Sequence, residues 1–207
     1  MVSISYCITV HNEGSMYLEP LFQKLLKYIS PEDEIIVVDD MSDEATTLAT
    51  LEKYKDSIQL HKKKFEGNFA EHKNFAKSKC TKQYIFFIDA DENIHDSLML
   101  TLKEILYNNP ETELYEVPRI NVVVGLTEEH KLKWGWTTNE KGWVMFPDYQ
   151  TRVIKNIEAI SWQGKVHERL LGHTTHAKLP HETEDYCLLH IKNIDRQEAQ
   201  NKLYNNL

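Results

Sequence analysis

Short apolar runs alternate with segments of helical periodicity through the first hundred residues of the chain. The apolar runs predict β-strands at residues 3–10, Glu34–Val38, Ser57–His61 and Tyr84–Ile88. The segments around them predict α-helices at Leu18–Ile29, Glu44–Tyr54, Ala70–Lys79 and Ser97–Tyr107. This alternation is typical of βαβ units, so we expect an α/β fold with a mixed, mostly parallel sheet flanked by helices.

The second half of the chain has a less regular pattern. Strands are predicted at Leu114–Val124 and Gln150–Ile154, and an amphipathic helix at Asp195–Leu207. Between Ser161 and His190 there are few clear elements. We interpret the whole chain as a single domain that combines a nucleotide-binding half at residues 1–95 with a substrate-side half at 96–207. It is either this domain alone or the first part of a longer protein, since no capping signal ends the last helix.

Composition narrows the classes of protein to consider. The chain has 207 residues, which suffices for one well-buried domain, and its net charge of −8 disfavours a nucleic-acid partner. Its three cysteines are widely spaced, so we expect buried free thiols and a cytoplasmic location. The N-terminal apolar run predicts a strand and not a signal peptide. No run approaches the ~18 apolar residues of a membrane span, which leaves peripheral contact as the only membrane association to consider.

The strand predicted at Tyr84–Ile88 ends in Asp89-Ala90-Asp91-Glu92. Ligands bind at the carboxyl ends of strands in open α/β sheets, and crowded carboxylates there indicate a hard cation such as Mg²⁺ or Mn²⁺. A cation of this kind usually holds a diphosphate. Phosphatases of the haloacid dehalogenase type also place Asp-x-Asp after a strand, but Asn93 and the late position of the strand disfavour that class.

Polar residues also follow the other strands of the first half. Thr9, His11 and Asn12 follow the first strand, and Asp40 follows the second, where a base or ribose can be held or where the side chains simply cap a loop. Lys73 lies near the start of the helix before the acidic strand. It is either a diphosphate contact or an ordinary exposed lysine.

Taken in order, these motifs resemble family 2 glycosyltransferases with a GT-A fold. The resemblance covers about residues 3–205, and its second-half segments resemble the branch that includes lipopolysaccharide-core glucosyltransferases and related viral or bacterial sugar transferases. Seven segments carry it: Ile8–Glu13, Ile35–Asp43, Lys73–Ala76, Phe87–Glu92, Pro147–Ile154, Trp162–Glu168 and Leu189-His190. The substrate side is then the acceptor side.

The resemblance implies a nucleotide-sugar donor and a bound Mn²⁺ or Mg²⁺. Asp91 would be the direct metal ligand, with Asp89 nearer the ribose or bound through water, and His190 would complete the metal shell. Asp40 would pair with the base. The residues expected to contact the donor are Thr9, His11, Asn12, Asp40, Lys73, Asp89 and Ala90.

The resemblance also implies a general base near the acceptor, in an inverting single displacement. Glu168 is the first candidate and Asp148 the second. The histidines at 173, 176 and 181 are expected in loops or at the surface. The tryptophans at 134, 136 and 143 either stack on acceptor sugars or belong to the core. Many relatives have glycine where Met41 stands, so we expect a backbone there that does not need positive φ.

The predicted function is metal-dependent transfer of a sugar to a hydroxyl of a glycan or lipid-linked acceptor. UDP-glucose is the default donor of the resembling branch, and UDP- or dTDP-linked deoxysugars such as rhamnose fit equally. One alternative is a nucleotidyltransferase, although residues Thr9–Gly14 lack the glycine- and lysine-rich loop that holds a triphosphate. Another is a catalytically silent module that binds sugar nucleotides or carbohydrates.

Overall fold

A computed structural model describes residues 2–204 of the chain. The first half contains β1 (Ile4–Val10), α1 (Ser15–Tyr28), β2 (Glu34–Asp39), α2 (Ala45–Tyr54), β3 (Gln59–Lys62), α3 (Phe69–Lys77), β4 (Tyr84–Asp89) and β5 (Glu92–Ile94). The second half contains α4 (Asp96–Asn108), β6 (Leu114–Val124), α5 (Glu128–Trp134), β7 (Asp148–Lys155), β8 (Ser161–Gln163), β9 (Arg169–Leu171), β10 (His176–Lys178), β11 (Leu188–Asn193) and α6 (Ile194–Tyr204).

Nine strands form one sheet in the order β3-β2-β1-β4-β7-β6-β11-β5, with β10 paired to β6 outside this path. The first four strands are parallel, as expected for βαβ units. β7 runs antiparallel to both β4 and β6, and β5 runs antiparallel to β11. The mixed, mostly parallel sheet predicted from the sequence is confirmed, and all the carboxyl ends of β1, β2 and β4 lie at one edge.

The predicted elements are all present, with ends that differ by a few residues. The last helix begins at Ile194, and the final three residues of the prediction lie outside the described part of the chain. Five kinds of element were not predicted. Four of them are too short to show a period: β5, the short helix α5, the small strands β8–β10 and a 3-10 helix at Glu184–Tyr186. The fifth is the strand β11.

Apolar side chains cover both faces of the sheet. One face packs against α1 and α4 through residues such as Ile8, Phe22 and Leu102. The other packs against α3 and the β8–β9 hairpin through residues such as Ile36 and Trp162. Because both faces are covered, β1, β2 and β4 are mostly apolar runs whose polar groups lie mainly at the strand ends.

Two predictions from composition can be compared with the structure. Cys7, Cys80 and Cys187 are free and buried, which confirms the interpretation of the cysteines. Among residues 2–204, no helix has both the length and the apolar content needed to cross a membrane.

Candidate active site at the carboxyl edge of the sheet

A cleft of about 1240 Å³ lies at the edge where β1, β2 and β4 end. It brings together side chains from both halves of the chain. The predicted site residues that line it are Thr9, His11, Asp40, Lys73, Asp89, Ala90, Asp91, Asp148, Glu168 and His190. Of the predicted residues only Asn12 is absent from the part of this lining that the structure describes.

Asp91 and His190 face each other in this cleft. The Nε2 atom of His190 lies 3.3 Å from Oδ2 of Asp91, and its Nδ1 atom lies 2.8 Å from Oδ1 of Asn121. The amide group of Asn121 is oriented by its own donation to Asp148 at 2.8 Å, so Oδ1 is an acceptor for Nδ1–H. With Nδ1 held by Asn121, Nε2 is the ring nitrogen that faces Asp91, and a cation bound between the two side chains would take the place of the proton on Nε2.

Asp91 is strongly stabilised as a carboxylate. Burial alone would raise its pKa, but the hydrogen bond and charge of His190 outweigh burial and lower the pKa. Arg196, from α6, donates to the same Oδ2 atom at 3.2 Å. Within residues 2–204, no three His, Cys, Asp or Glu side chains form a group that could hold a metal ion.

Asp89 has a different environment from Asp91. Its Oδ2 atom accepts a hydrogen bond from Arg152, whose Nη2 also donates to Oε1 of Glu92 at 2.6 Å. Arg119 donates to the same Glu92 oxygen at 2.9 Å. Burial would raise the pKa of Asp89, but Arg152, with smaller contributions from Lys73 and Arg119, holds it well below its usual range. Asp89 is therefore held by a network of charges centred on the buried side chains of Arg152 and Glu92.

Asp148 belongs to the same network. Its Oδ2 atom accepts hydrogen bonds from Nε and Nη2 of Arg119 at 3.0 and 2.7 Å and from Asn121 at 2.8 Å, while Oδ1 accepts from Gln150 at 2.8 Å. Burial opposes ionisation, yet the charge of Arg119 and these hydrogen bonds lower the pKa of Asp148. A carboxylate with so many donors is a weak proton acceptor.

Glu168 lies in the loop between β8 and β9 and is held by a single partner. Its Oε1 atom is 2.6 Å from the Nζ atom of Lys73, which comes from α3. The same ammonium group lies 4.4 Å from the centre of a Trp162 ring. The structure thus pairs Glu168, the first candidate for the base, with Lys73, the candidate contact for the diphosphate.

Hydrogen bonds join the loop after β1 to the loop after β2. Asn12 accepts hydrogen bonds at its Oδ1 atom from the backbone N–H groups of Asp43 and Glu44, both at 2.9 Å, which turns its side chain away from the cleft. The backbone at Met41 has φ of 50°, contrary to the expectation from its lack of glycine. Hydrogen bonds around Ser42, to Asp39 and from the backbone of Asn12, hold the turn in this conformation.

Aromatic side chains line the cleft at two places. Phe65 lies on the side of Asp40, whose Oδ1 accepts from the backbone N–H of Phe65 at 2.5 Å. Trp136 also lines the cleft, whereas Trp134 and Trp143 are partly exposed outside the lining. His176 is exposed on β10, His173 is partly buried, and His181 contacts the hydroxyl group of Tyr149 at 3.0 Å.

Several charged residues of the cleft were not predicted. These are Glu13, Arg119, Arg152, Lys192 and Arg196. Burial raises the pKa of Glu13 to about 7 and lowers the pKa of Lys192 to about 8. The sequence did contain a signal that Arg119 and Arg152 belong to the site. Each is a charged residue within an otherwise apolar strand, and a buried charge needs a partner.

Most of the chain matches the model of one protein family. The model described as "Glycosyl transferase family 2" matches residues 5–190. In a comparison with curated proteins, the chain is 29% identical over 111 residues to the poly(ribitol-phosphate) β-N-acetylglucosaminyltransferase TarP of Staphylococcus aureus strain N315. That match covers 52% of this chain and 33% of TarP, so the chain spans about a third of this relative.

Solved structures of S. aureus TarS have a similar fold. TarS 1–349 in complex with UDP has a TM-score of 0.56 at 17% identity, and the match covers 90% of this chain and 62% of that one. The complex with UDP-GlcNAc has a TM-score of 0.54 at 16% identity, covering 89% and 60%. At this identity the likeness concerns the fold, and it confirms the predicted GT-A type.

Proposed function

Because the chain belongs to glycosyl transferase family 2, we propose that it transfers a sugar from a nucleoside diphosphate sugar to a hydroxyl group of an acceptor. One observation supports this proposal most directly. A single cleft at the carboxyl edge of the sheet is lined both by the Asp91–His190 pair and by Glu168. Such a cleft offers a place for a diphosphate and, beside it, a carboxylate for the reacting hydroxyl.

A UDP-sugar is the donor that we propose. TarS has been solved with UDP and with UDP-GlcNAc, and TarP is named an N-acetylglucosaminyltransferase. UDP-GlcNAc is therefore the first donor to test, beside UDP-glucose and a dTDP-linked deoxysugar such as dTDP-rhamnose. The proposed acceptor is a glycan or lipid-linked hydroxyl, and the name of TarP adds poly(ribitol-phosphate) to the panel.

We propose Mn²⁺ or Mg²⁺ as the cofactor, held by Asp91 and His190. Adjacent ligands of an octahedral ion lie about 3 Å apart, close to the 3.3 Å between Oδ2 of Asp91 and Nε2 of His190. A carboxylate oxygen with an imidazole nitrogen suits Mn²⁺ in particular. Asp89 fits a direct ligand less well, because Arg152 holds its carboxylate, and this supports a role through water or at the ribose. When bound, the ion neutralises negative charge on the departing diphosphate.

In the proposed reaction the acceptor hydroxyl oxygen attacks the anomeric carbon of the donor sugar. The bond from that carbon to the diphosphate oxygen breaks, and the nucleoside diphosphate leaves with the bonding electrons. Glu168 takes the proton of the attacking hydroxyl. A single displacement of this kind inverts the anomeric configuration. Lys192 and Arg196 line the cleft near Asp91 and add positive charge where the diphosphate would lie.

Glu168 is a better candidate for the base than Asp148. Asp148 accepts hydrogen bonds from Arg119, Asn121 and Gln150, so both of its oxygens are occupied. Within the described part of the chain, Glu168 has Lys73 as its only charged or hydrogen-bonding partner. A carboxylate with one partner can change that partner for an acceptor hydroxyl.

The test compares the wild type with Asp91→Asn and Glu168→Gln on the donor panel, with and without Mn²⁺. We expect donor binding that requires Mn²⁺ and weakens at least about tenfold in Asp91→Asn. Glu168→Gln should still bind the donor, while transfer slows by about 100-fold or more. Asp56→Asn, an exposed carboxylate outside the cleft, is the matched control and should change neither quantity.

The alternative functions give different results in the same assay. Donor binding that is indifferent to Mn²⁺ and to Asp91 would contradict the proposed mechanism. Binding without release of nucleoside diphosphate, whatever the acceptor, would indicate a silent binding module. Release of pyrophosphate with transfer of a nucleoside monophosphate would indicate a nucleotidyltransferase.

A further inference from the structure

The ion pair between Lys73 and Glu168 joins two groups that a glycosyl transfer needs separately. The two side chains are 18% and 12% exposed, so water screens their attraction only in part. Trp162 packs beneath the ammonium group, 4.4 Å from ring centre to Nζ. In this arrangement the ammonium group holds Oε1 of Glu168, so that oxygen is not available to a hydroxyl.

Lys73 also lies within electrostatic range of the Asp89-Ala90-Asp91 turn. Lys73 and all three residues of this turn line the same cleft. The lysine is thus placed between two anionic partners, Glu168 on one side and the acidic edge of the sheet on the other. A diphosphate bound at that edge would bring its phosphate oxygens within reach of the ammonium group, so it would compete with Glu168 for Lys73.

A second cavity, of about 480 Å³, adjoins the cleft at this ion pair. Lys73, Gln150, Arg152 and Glu168 line both spaces, so the pair stands in their common wall. Two buried donors of residues that line the second cavity, Nε1 of Trp162 and Nε of Arg152, have no hydrogen-bond partner among residues 2–204. Glu168 is therefore adjacent to open, polar space on both sides once its lysine moves away.

From this placement we infer that Lys73 is a positioning residue that couples donor binding to the release of the base. Without a donor it holds Glu168 in an ion pair; with a donor it turns to the diphosphate and leaves Glu168 free for the acceptor hydroxyl. The inference rests on the proposed function, since it needs a diphosphate in the cleft. It implies that the acceptor engages Glu168 only after the donor has bound.

The test is a cycle of UDP affinities, measured by calorimetry with Mg²⁺ present throughout, for the wild type, Glu168→Gln, Lys73→Met and the double variant. Neutralising Glu168 removes the competitor for Lys73, so Glu168→Gln should tighten UDP binding about fivefold when Lys73 is present. In the Lys73→Met background the same change should have almost no effect. Lys73→Arg keeps the positive charge, and in that background the tightening should return.

The matched control is Lys77→Met. Lys77 lies one turn further along α3, outside both cavities, and donates to the backbone carbonyl of Ile157 at 2.9 Å. Glu168→Gln should tighten UDP fivefold in this background as it does in the wild type. An equal effect with and without Lys73 would show that Glu168 acts only through its general charge, and it would overturn the inference while leaving the proposed donor site intact. If UDP does not bind the wild type at all, the proposed function fails and the inference fails with it.

Discussion

The two halves of the molecule build the same cleft in different ways. In the first half, strands β1, β2 and β4 are made of buried apolar residues, and the polar groups come in the few residues after each strand ends. In the second half, strands β6 and β7 carry charges within the strands themselves, at Arg119, Asp148 and Arg152. The first half therefore places its site residues by local sequence, whereas the second depends on charges that find distant partners.

This difference has an energetic consequence. The apolar strands of the first half are stabilised by burial, which tolerates small changes of shape. The charges of the second half are stable only while every partner is present, because removal of one leaves another buried without compensation. Arg152 is the centre of this dependence. It lies in the second half, is 3% exposed, and forms ion pairs with both Glu92 and Asp89 of the first half.

The largest expected effect follows from removing Arg152. Arg152→Met leaves Glu92 and Asp89 without their main cation, so we expect the free energy of unfolding to fall by about 3–5 kcal/mol. Urea denaturation followed by circular dichroism measures this loss. The variant should also lose order in β7 before β1, which hydrogen exchange of the backbone amides would detect.

The matched change in the first half is Ile36→Val. Ile36 is fully buried in β2, and the loss of one methylene there should cost only about 0.5–1.5 kcal/mol. If Arg152→Met lowers the free energy of unfolding no more than Ile36→Val does, the second half does not depend on its buried charges, and the contrast between the halves fails.

The second largest effect, on the pH dependence of stability, is expected for Glu13. This residue departs from the pattern of the first half because burial changes the pKa of its carboxyl group. It accepts a hydrogen bond from the backbone of His11 at 2.6 Å, but burial raises its pKa to about 7. Between about pH 4.5 and 7 the unfolded chain has lost this proton and the folded chain keeps it, so stability falls as pH rises through that window. Glu13→Gln removes this loss, and its stability relative to the wild type should rise by up to about 1.4 kcal/mol per pH unit before levelling above pH 7.

Thermal and urea unfolding at several pH values from 4 to 8 measure the effect. Glu44→Gln is a control of opposite kind, because hydrogen bonds from Thr47 and Thr46 lower the pKa of Glu44 to about 2. Above about pH 5.5 Glu44 is ionised in both the folded and the unfolded chain, so in that range its variant should differ from the wild type by a constant amount. A Glu13→Gln difference that is equally constant there would show that folding does not raise the pKa of Glu13.

The contrast between the halves also explains how much the sequence predicted. The strands and helices of the first half, and the acidic end of β4, follow from periodicity and from the position of polar residues after apolar runs. Asp91 and His190 are 99 residues apart, and only the family resemblance suggested that they meet. Their side chains do lie together, although whether they hold a metal stays a prediction.

The remaining contacts depend on partners that no local pattern specifies. Nothing in the segment around Lys73 indicates that its ammonium group binds Glu168, since the two motifs are far apart and each is compatible with another role. Arg119 and Arg152 are visible as charges in apolar strands, but the pattern does not say which carboxylates neutralise them. Long-range charge pairing requires the fold before it can be assigned.

The smallest expected effect concerns the turn after β2, where the first half departs from its own regularity. Met41 has φ of 50°, which for a non-glycine residue costs about 1–2 kcal/mol, and its side chain is 55% exposed. Met41→Gly should relieve this strain while adding about 0.5–1 kcal/mol of entropy cost, so we expect a net gain in stability of about 0.5–1 kcal/mol by urea denaturation.

Met16→Gly is the matched control, since Met16 is 70% exposed within α1 and glycine there should destabilise by about 1 kcal/mol. Opposite signs for the two variants would show that local backbone geometry decides stability at this edge of the first half; a loss in both would mean that the Met41 side chain contributes packing that its exposure does not reveal.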